Sequence, residues 1–169
     1  MSAESQLFID HSRHLLVGSY LPRIERCLEK IPDEHIWWRA SPESNSIGNL
    51  MLHLAGNVRQ WIVSGLDGVP DVRERQREFD ERGPLPRADV QSRLKETMAE
   101  ADRVLAHLDP STLLERRRIQ GYDVAVMEAI YQVVEHFSMH TGQIILLTKI
   151  STGDLAFYDV SSGTPRARW

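Results

Sequence analysis

The chain has 169 residues, enough for one domain that buries about 70% of the surface its unfolded form exposes. A hydrophobic fraction of 41% and a charged fraction of 26% are those of an ordinary globular protein, and a net charge of -4 gives a nucleic-acid role no global electrostatic support. No apolar run approaches the roughly 18 residues of a membrane span, and the polar, acidic start Met1-Ser2-Ala3-Glu4-Ser5 lacks the basic and apolar regions of a secretory signal, so the cytoplasm is the expected location.

From about residue 5 to residue 31, apolar positions recur at intervals of three and four (Leu7, Phe8, His11, Leu15, Leu16, Tyr20, Leu21, Ile24, Cys27, Leu28, Ile31), which predicts an amphipathic helix. Pro22 predicts a kink or break inside it, and Pro32 its end. Cys27 is the one cysteine, so no intramolecular disulfide forms, and its place on the apolar side reads as a buried structural thiol. Residues 33–42 read as a loop or short turn in which Trp37-Trp38 covers the end of a core. Ser44-Asn45-Ser46 offers cap side chains for a second helix over about 46–65, ending at Gly65 or Gly68, with Leu50, His53, Leu54, Asn57, Trp61 and Ile62 on one face.

Residues 69–86 form a polar connection longer than most helix–helix loops, as a crossover or a lid requires, and Glu78-Phe79-Asp80 is its candidate anchor. Arg73-Glu74-Arg75-Gln76-Arg77 within it, and Arg116-Arg117-Arg118 later, read as solvated faces or loops. A third helix is predicted over about 88–108, with His107 at the surface of its last turn; Leu113 to Tyr122 reads as a short extended stretch or turn. The fourth helix, over about 126–150, is apolar almost all round and reads as buried on several sides. Gly153 ends it, and the tail is expected to be loop with Phe157 and Tyr158 packed down. Four such helices in a single domain, residues 1–169, predict an all-α four-helix bundle, and the long connection argues against a simple up-down-up-down order.

The chemistry is concentrated in the fourth helix. His136 and His140 are one turn apart, about 40° apart in direction and about 6 Å along the axis, a spacing at which two imidazoles can hold one cation. Buried side by side they cannot both be charged, and a shared ion satisfies both. His53, centred on the apolar face of the second helix, is the candidate third ligand. Three neutral nitrogens leave positions open, as catalytic rather than structural sites do. Imidazole suits zinc, nickel, copper and iron, with zinc or nickel the first choices. Gln132 and Gln143, each about one turn from a histidine, and Asn57, one turn after His53, are candidates to orient the imidazoles or a bound water. No carboxylate shares the stripe of all three histidines, which favours activation of a thiol over hydrolysis, where a nearby base is the rule.

Asn45-Ser46-Ile47-Gly48-Asn49-Leu50-Met51-Leu52-His53-Leu54-Ala55-Gly56-Asn57, His136-Phe137-Ser138-Met139-His140-Thr141-Gly142-Gln143-Ile144 and Phe157-Tyr158-Asp159 resemble the DinB superfamily, in its DUF1572-type branch. The resemblance covers nearly the whole chain. It implies a four-helix bundle, often a homodimer, with a divalent metal on one histidine of helix 2 and two of helix 4, positions held here by His53, His136 and His140. It implies thiol-dependent transfer or isomerisation with a glutathione-like, mycothiol-like or bacillithiol-like cofactor and a small electrophilic substrate. The alternatives are a metal-dependent hydrolase and a non-catalytic dimeric metal-binding module. Neither a nucleic-acid nor a membrane partner is expected.

Overall fold

The structure, a computed structural model, describes residues 3–83, 85–153 and 155–169; Met1 and Ser2 of the polar start and Pro84 of the long connection lie outside the described residues. Helix α1 is α-helical over Ala3–Leu15, π-helical over Leu16–Tyr20 and α-helical again over Leu21–Leu28. It does not break at Pro22. The Leu21 N–H donates to the Leu16 carbonyl five residues back, and this wider turn, just ahead of the proline, relieves the crowding that Pro22 would cause in a regular helix. The extra residue also shifts the buried phase. Ile9, Ser12, Leu16 and Ser19 face inward before Pro22, and Ile24, Cys27 and Leu28 after it. Leu7, read from the sequence as an inward position, is 68% exposed.

Helix α2 runs α-helical over Ile47–Val58, π-helical over Arg59–Ser64 and α-helical over Gly65–Asp67, and closes on Gly68 with φ +77°. Ser46 caps it: its hydroxyl accepts from the Asn49 N–H while the Asn49 side chain accepts from the Ser46 N–H. The connection that follows contains a short helix, α3 (Arg75–Asp80), lying along α2. Helix α4 (Arg87–His107) and helix α5 (Val126–Thr152) complete the bundle, and Gly153, at φ +76°, stops α5. Between α4 and α5, β1 (Arg116–Ile119) and β2 (Tyr122–Ala125) form a hairpin. Its turn residues, Gln120 and Gly121, both have positive φ, as a two-residue turn matched to strand twist requires. A second small hairpin, β3 (Tyr158–Asp159) with β4 (Arg166–Ala167), lies in the tail, where Phe157 packs on the core but Tyr158 stays 48% exposed against Trp169.

The protein is an all-α bundle with only short strands. Contacts run α1–α4, α4–α2, α2–α5 and α5–α1, so the consecutive helices α1 and α2, and likewise α4 and α5, sit across the bundle from one another. This is not an up-down-up-down neighbour order. The core between them is continuous, from Ile9 and Ile24 through Leu50, Met51 and Leu54 to Leu94, Met98, Ile130 and Phe137. α5 is not buried all round: Tyr131, Met139, Leu146 and Ile150 lie exposed along one side. Cys27 is fully buried, and burial pushes its thiol up to about 11, so it stays an unreactive thiol. No helix of the described residues is long and apolar enough to cross a membrane.

Candidate metal centre

The facing stripes of α2 and α5 bring His53, His136 and His140 together. His53 lies mid-helix among Leu50, Leu54 and Asn57; it is 4% exposed and His140 8%. The Nε2 atoms of His53 and His140 each lie 3.1 Å from Nε2 of His136. His107 is elsewhere, exposed on the last turn of α4 with its ring against the Arg103 carbonyl.

The outer ring nitrogens fix the tautomers. Nδ1 of His53 is 2.8 Å from Oε2 of Glu78, and a carboxylate only accepts, so Nδ1 carries the hydrogen. Nδ1 of His140 likewise faces Oε1 of Gln143 at 2.7 Å. In neutral rings both Nε2 atoms are then lone pairs, and both point at His136. A hydrogen on His136 Nε2 can be aimed at only one of them, and Nδ1 of His136 is buried with no hydrogen-bond partner among the described residues. Three imidazoles so arranged are frustrated without a cation. Nitrogens about 2.1 Å from one ion are about 3.0–3.4 Å apart for bond angles between square and tetrahedral; the two pairs that include His136 have that spacing, and all three ligand atoms lie within 4.8 Å of one another. The three residues could hold a metal ion. Burial, then the neighbouring imidazoles and the arginines Arg73 and Arg75, push His136 down to about 3; burial lowers His140 as well, against the pull of Gln143. Both rings are therefore neutral, as ligation requires.

Sequence reasoning missed Glu78 and Arg73 as parts of the site. Arg73 reads as one charge in a solvated run, yet its side chain is 5% exposed and that of Glu78 11%. The guanidinium grips the carboxylate in a bidentate fork, Nε to Oε1 at 2.7 Å and Nη2 to Oε2 at 2.8 Å, and Nη1 donates to Gln60 Oε1 at 2.8 Å. Burial alone would raise the Glu78 carboxyl; Arg73 and His53 outweigh it and hold the group below the usual range, ionised. The pair is delivered by the long connection, which is pinned along α2. Asn49 Nδ2 donates to the carbonyls of Glu78 and Glu81 at 2.7 and 2.9 Å, and Trp37 Nε1 donates to the Leu85 carbonyl at 2.9 Å. Phe79 packs its ring 4.7 Å from that of His53. The one sequence signal was Gly56, a glycine inside a helix: a Cβ there would sit 2.0 Å from Glu78 Oε1. Of the three amides proposed as helpers, Gln143 meets a histidine; Asn57 and Gln132 do not, and each has a buried side-chain oxygen without a partner.

A cavity of about 430 Å³ lies behind the Arg73–Glu78 pair, between α2, α4 and the connection, walled by Arg59, Arg77 and Arg93 and by Asp71, Glu74 and Glu81. It does not include the histidines. Its charges balance, so it does not single out a ligand class.

The family model described as "Protein of unknown function (DUF1572)" matches residues 3–162. Among solved structures, the chain is similar to the one titled "Crystal structure of the conserved protein of locus from Enterococcus faecalis", with a TM-score of 0.64 at 15% identity, over 91% of this chain and 99% of that one. That likeness is one of fold. No curated protein matches.

Proposed function

The chain belongs to the DUF1572 family, and from its imidazole cluster we propose a divalent-metal-dependent enzyme of DinB-superfamily type that activates a small thiol for transfer to a small electrophilic substrate. The observation that carries the reading is the convergence of three Nε2 atoms, two of them lone pairs by virtue of their outer hydrogen bonds. A zinc or nickel ion there supplies Lewis-acid charge that lowers the pKa of a thiol or water beside it. His53, His136 and His140 are the ligands. Glu78 and Gln143 fix the tautomers of His53 and His140, and Arg73 keeps Glu78 ionised. Gln132 and His136 each have an unpartnered buried atom and are one turn apart on α5, so the amide is the natural acceptor for His136 Nδ1. Asn57, buried beside the cluster's helix face, stays a candidate to orient a bound water.

Thiol chemistry is favoured over hydrolysis because the carboxylate that reaches the histidines is committed. Oε1 of Glu78 is taken by Arg73, and Oε2 by Arg73 and His53, so neither oxygen is free to take a proton from water. The burial of His53 and His140 favours a second reading, a non-catalytic metal-binding module. For either, the exposed stripe Tyr131, Met139, Leu146 and Ile150, with the small Gly142 on the same side, supports a two-fold homodimer built on α5.

The test is bound metal per chain, measured on protein purified without a histidine tag. His53→Ala, His136→Ala and His140→Ala are each expected to lose most of the metal, and His107→Ala to keep it. Equal metal in all four variants overturns the site. Loaded protein that binds no small thiol leaves the module reading.

A further inference from the structure

Arg75 stands, exposed, at the rim of the histidine cluster. Its guanidinium lies 4.8 Å from the centre of the Phe79 ring, and that ring lies 4.7 Å from the ring of His53. Taken together, these two contacts hold the cation roughly 10 Å or less from the His53 imidazole, a separation over which charge still acts at physiological ionic strength. His136 is the most open of the three imidazoles. Arg75 has no hydrogen bond or ion pair with any described residue. Its neighbours do: Arg73 is forked to Glu78, Arg77 pairs with Glu74 at 2.7 Å, and Asp80 accepts from Gln76 at 2.9 Å. The Arg73–Glu78 pair is neutral as a unit, so it does not offset the positive charge of the Arg75 guanidinium or of a divalent ion on neutral imidazoles.

We propose that Arg75, held over the Phe79 ring beside the histidines, is the specificity-determining residue of this centre and that the small molecule taken there carries a carboxylate, which the Arg75 guanidinium receives. The inference rests on the metal reading above. A planar fork held over an aromatic ring by a cation–π contact is restrained for receiving a planar oxyanion. One unpaired guanidinium matches a monoanion, which favours a carboxylate over a phosphate dianion. The neutral remainder of the ligand extends toward the imidazoles. Phe79 lies beneath the guanidinium and beside His53, so it sets the spacing between the anionic end and the reacting end.

The test uses protein loaded with cobalt(II) and follows the thiolate-to-cobalt absorption band during titration with 3-mercaptopropionate and, separately, its neutral amide, 3-mercaptopropanamide. The wild type is expected to bind the carboxylate about tenfold more tightly, a difference of about 1.4 kcal/mol, and to lose that preference as ionic strength rises. Arg75→Gln should load cobalt equally and bind both probes alike, and Arg77→Gln should keep the wild-type preference. Equal binding of the two probes by the wild type, a preference indifferent to salt, or a preference kept in Arg75→Gln overturns the proposal while leaving the metal site standing. Failure of the wild type to take up cobalt overturns both; cobalt uptake with no band from either probe overturns the proposal and the thiol reading and leaves the metal-binding module.

Discussion

Gly56 sits on α2 under the Arg73–Glu78 fork, and its missing side chain is what lets the fork reach His53. A Cβ at position 56 would lie 2.0 Å from Glu78 Oε1, 2.8 Å from Glu78 Cδ and 2.8 Å from Arg73 Nε. Ordinary contacts are about 3.4 Å or more, so in Gly56→Ala the carboxylate has to withdraw by well over an ångström. A surface glutamate would do so freely. Here Oε1 and Oε2 are bonded to Arg73 and His53 inside a site whose side chains are 5% and 11% exposed, so withdrawal breaks a buried ion pair. Breaking such a pair costs about 3–5 kcal/mol. Replacing a mid-helix glycine by alanine returns about 1 kcal/mol through helix propensity. The net expectation is a loss of about 2–4 kcal/mol, or a fall in melting temperature of roughly 4–16 °C for a chain of this size. His53 also loses the acceptor that fixes its tautomer, so metal affinity should drop about 10–100-fold. Urea denaturation of the metal-free protein gives the first quantity and competition against a chromogenic chelator the second. A Gly56→Ala protein as stable as the wild type, with unchanged metal affinity, would refute the argument that the fork needs the glycine.

Asn49→Ala removes the amide that ties the carbonyls of Glu78 and Glu81 to α2, and is expected to weaken metal binding and to speed proteolysis within residues 69–83; unchanged cleavage would show that the connection is held otherwise. Acid should destabilise the metal-free protein through His136, whose folded value of about 3 lies below the unfolded value of about 6.5. Between the two the unfolded chain holds the extra proton, so stability falls as pH drops through that window, by up to about 1.4 kcal/mol per pH unit for this group, and His140 adds in the same direction. Denaturation midpoints of wild type and His136→Ala across the window measure the difference; parallel profiles would contradict it. On the dimer proposal, light scattering should give twice the chain mass at micromolar concentration, and Leu146→Glu should give the monomer.

The helices were legible because their signals are local. The interval of three and four, Ser46 before α2, and Gly68 and Gly153 after α2 and α5 place the ends within a few residues. His136 and His140 were legible for the same reason: one helical turn decides their geometry. The rest depends on contacts between distant parts of the chain. Arg73 and Glu78 sit in a run of mixed charge whose pattern is that of a solvated surface, and their partner His53 is 20 to 25 residues away. Leu7 fits an apolar stripe that the π turn at Leu16–Tyr20 then shifts out of phase. In α5, composition alone could not separate the face toward the core, Ile130, Val133, Phe137 and Ile144, from the equally apolar residues left outside.

The two edges of the imidazole cluster differ greatly in sequence span. His136 meets His140 across 4 residues, but it meets His53 across 83. The first contact exists whenever that turn of α5 has formed. The second needs a loop closed at an entropic cost of roughly 4 kcal/mol before any contact is gained. On the metal reading, capture is then an ordered pair of events. A weak two-nitrogen encounter is open to any chain in which α5 has wound, and the lock waits for α2 to arrive with His53 already oriented by Glu78. An ion present during folding would find its harbour half built and would favour the chains that go on to complete it.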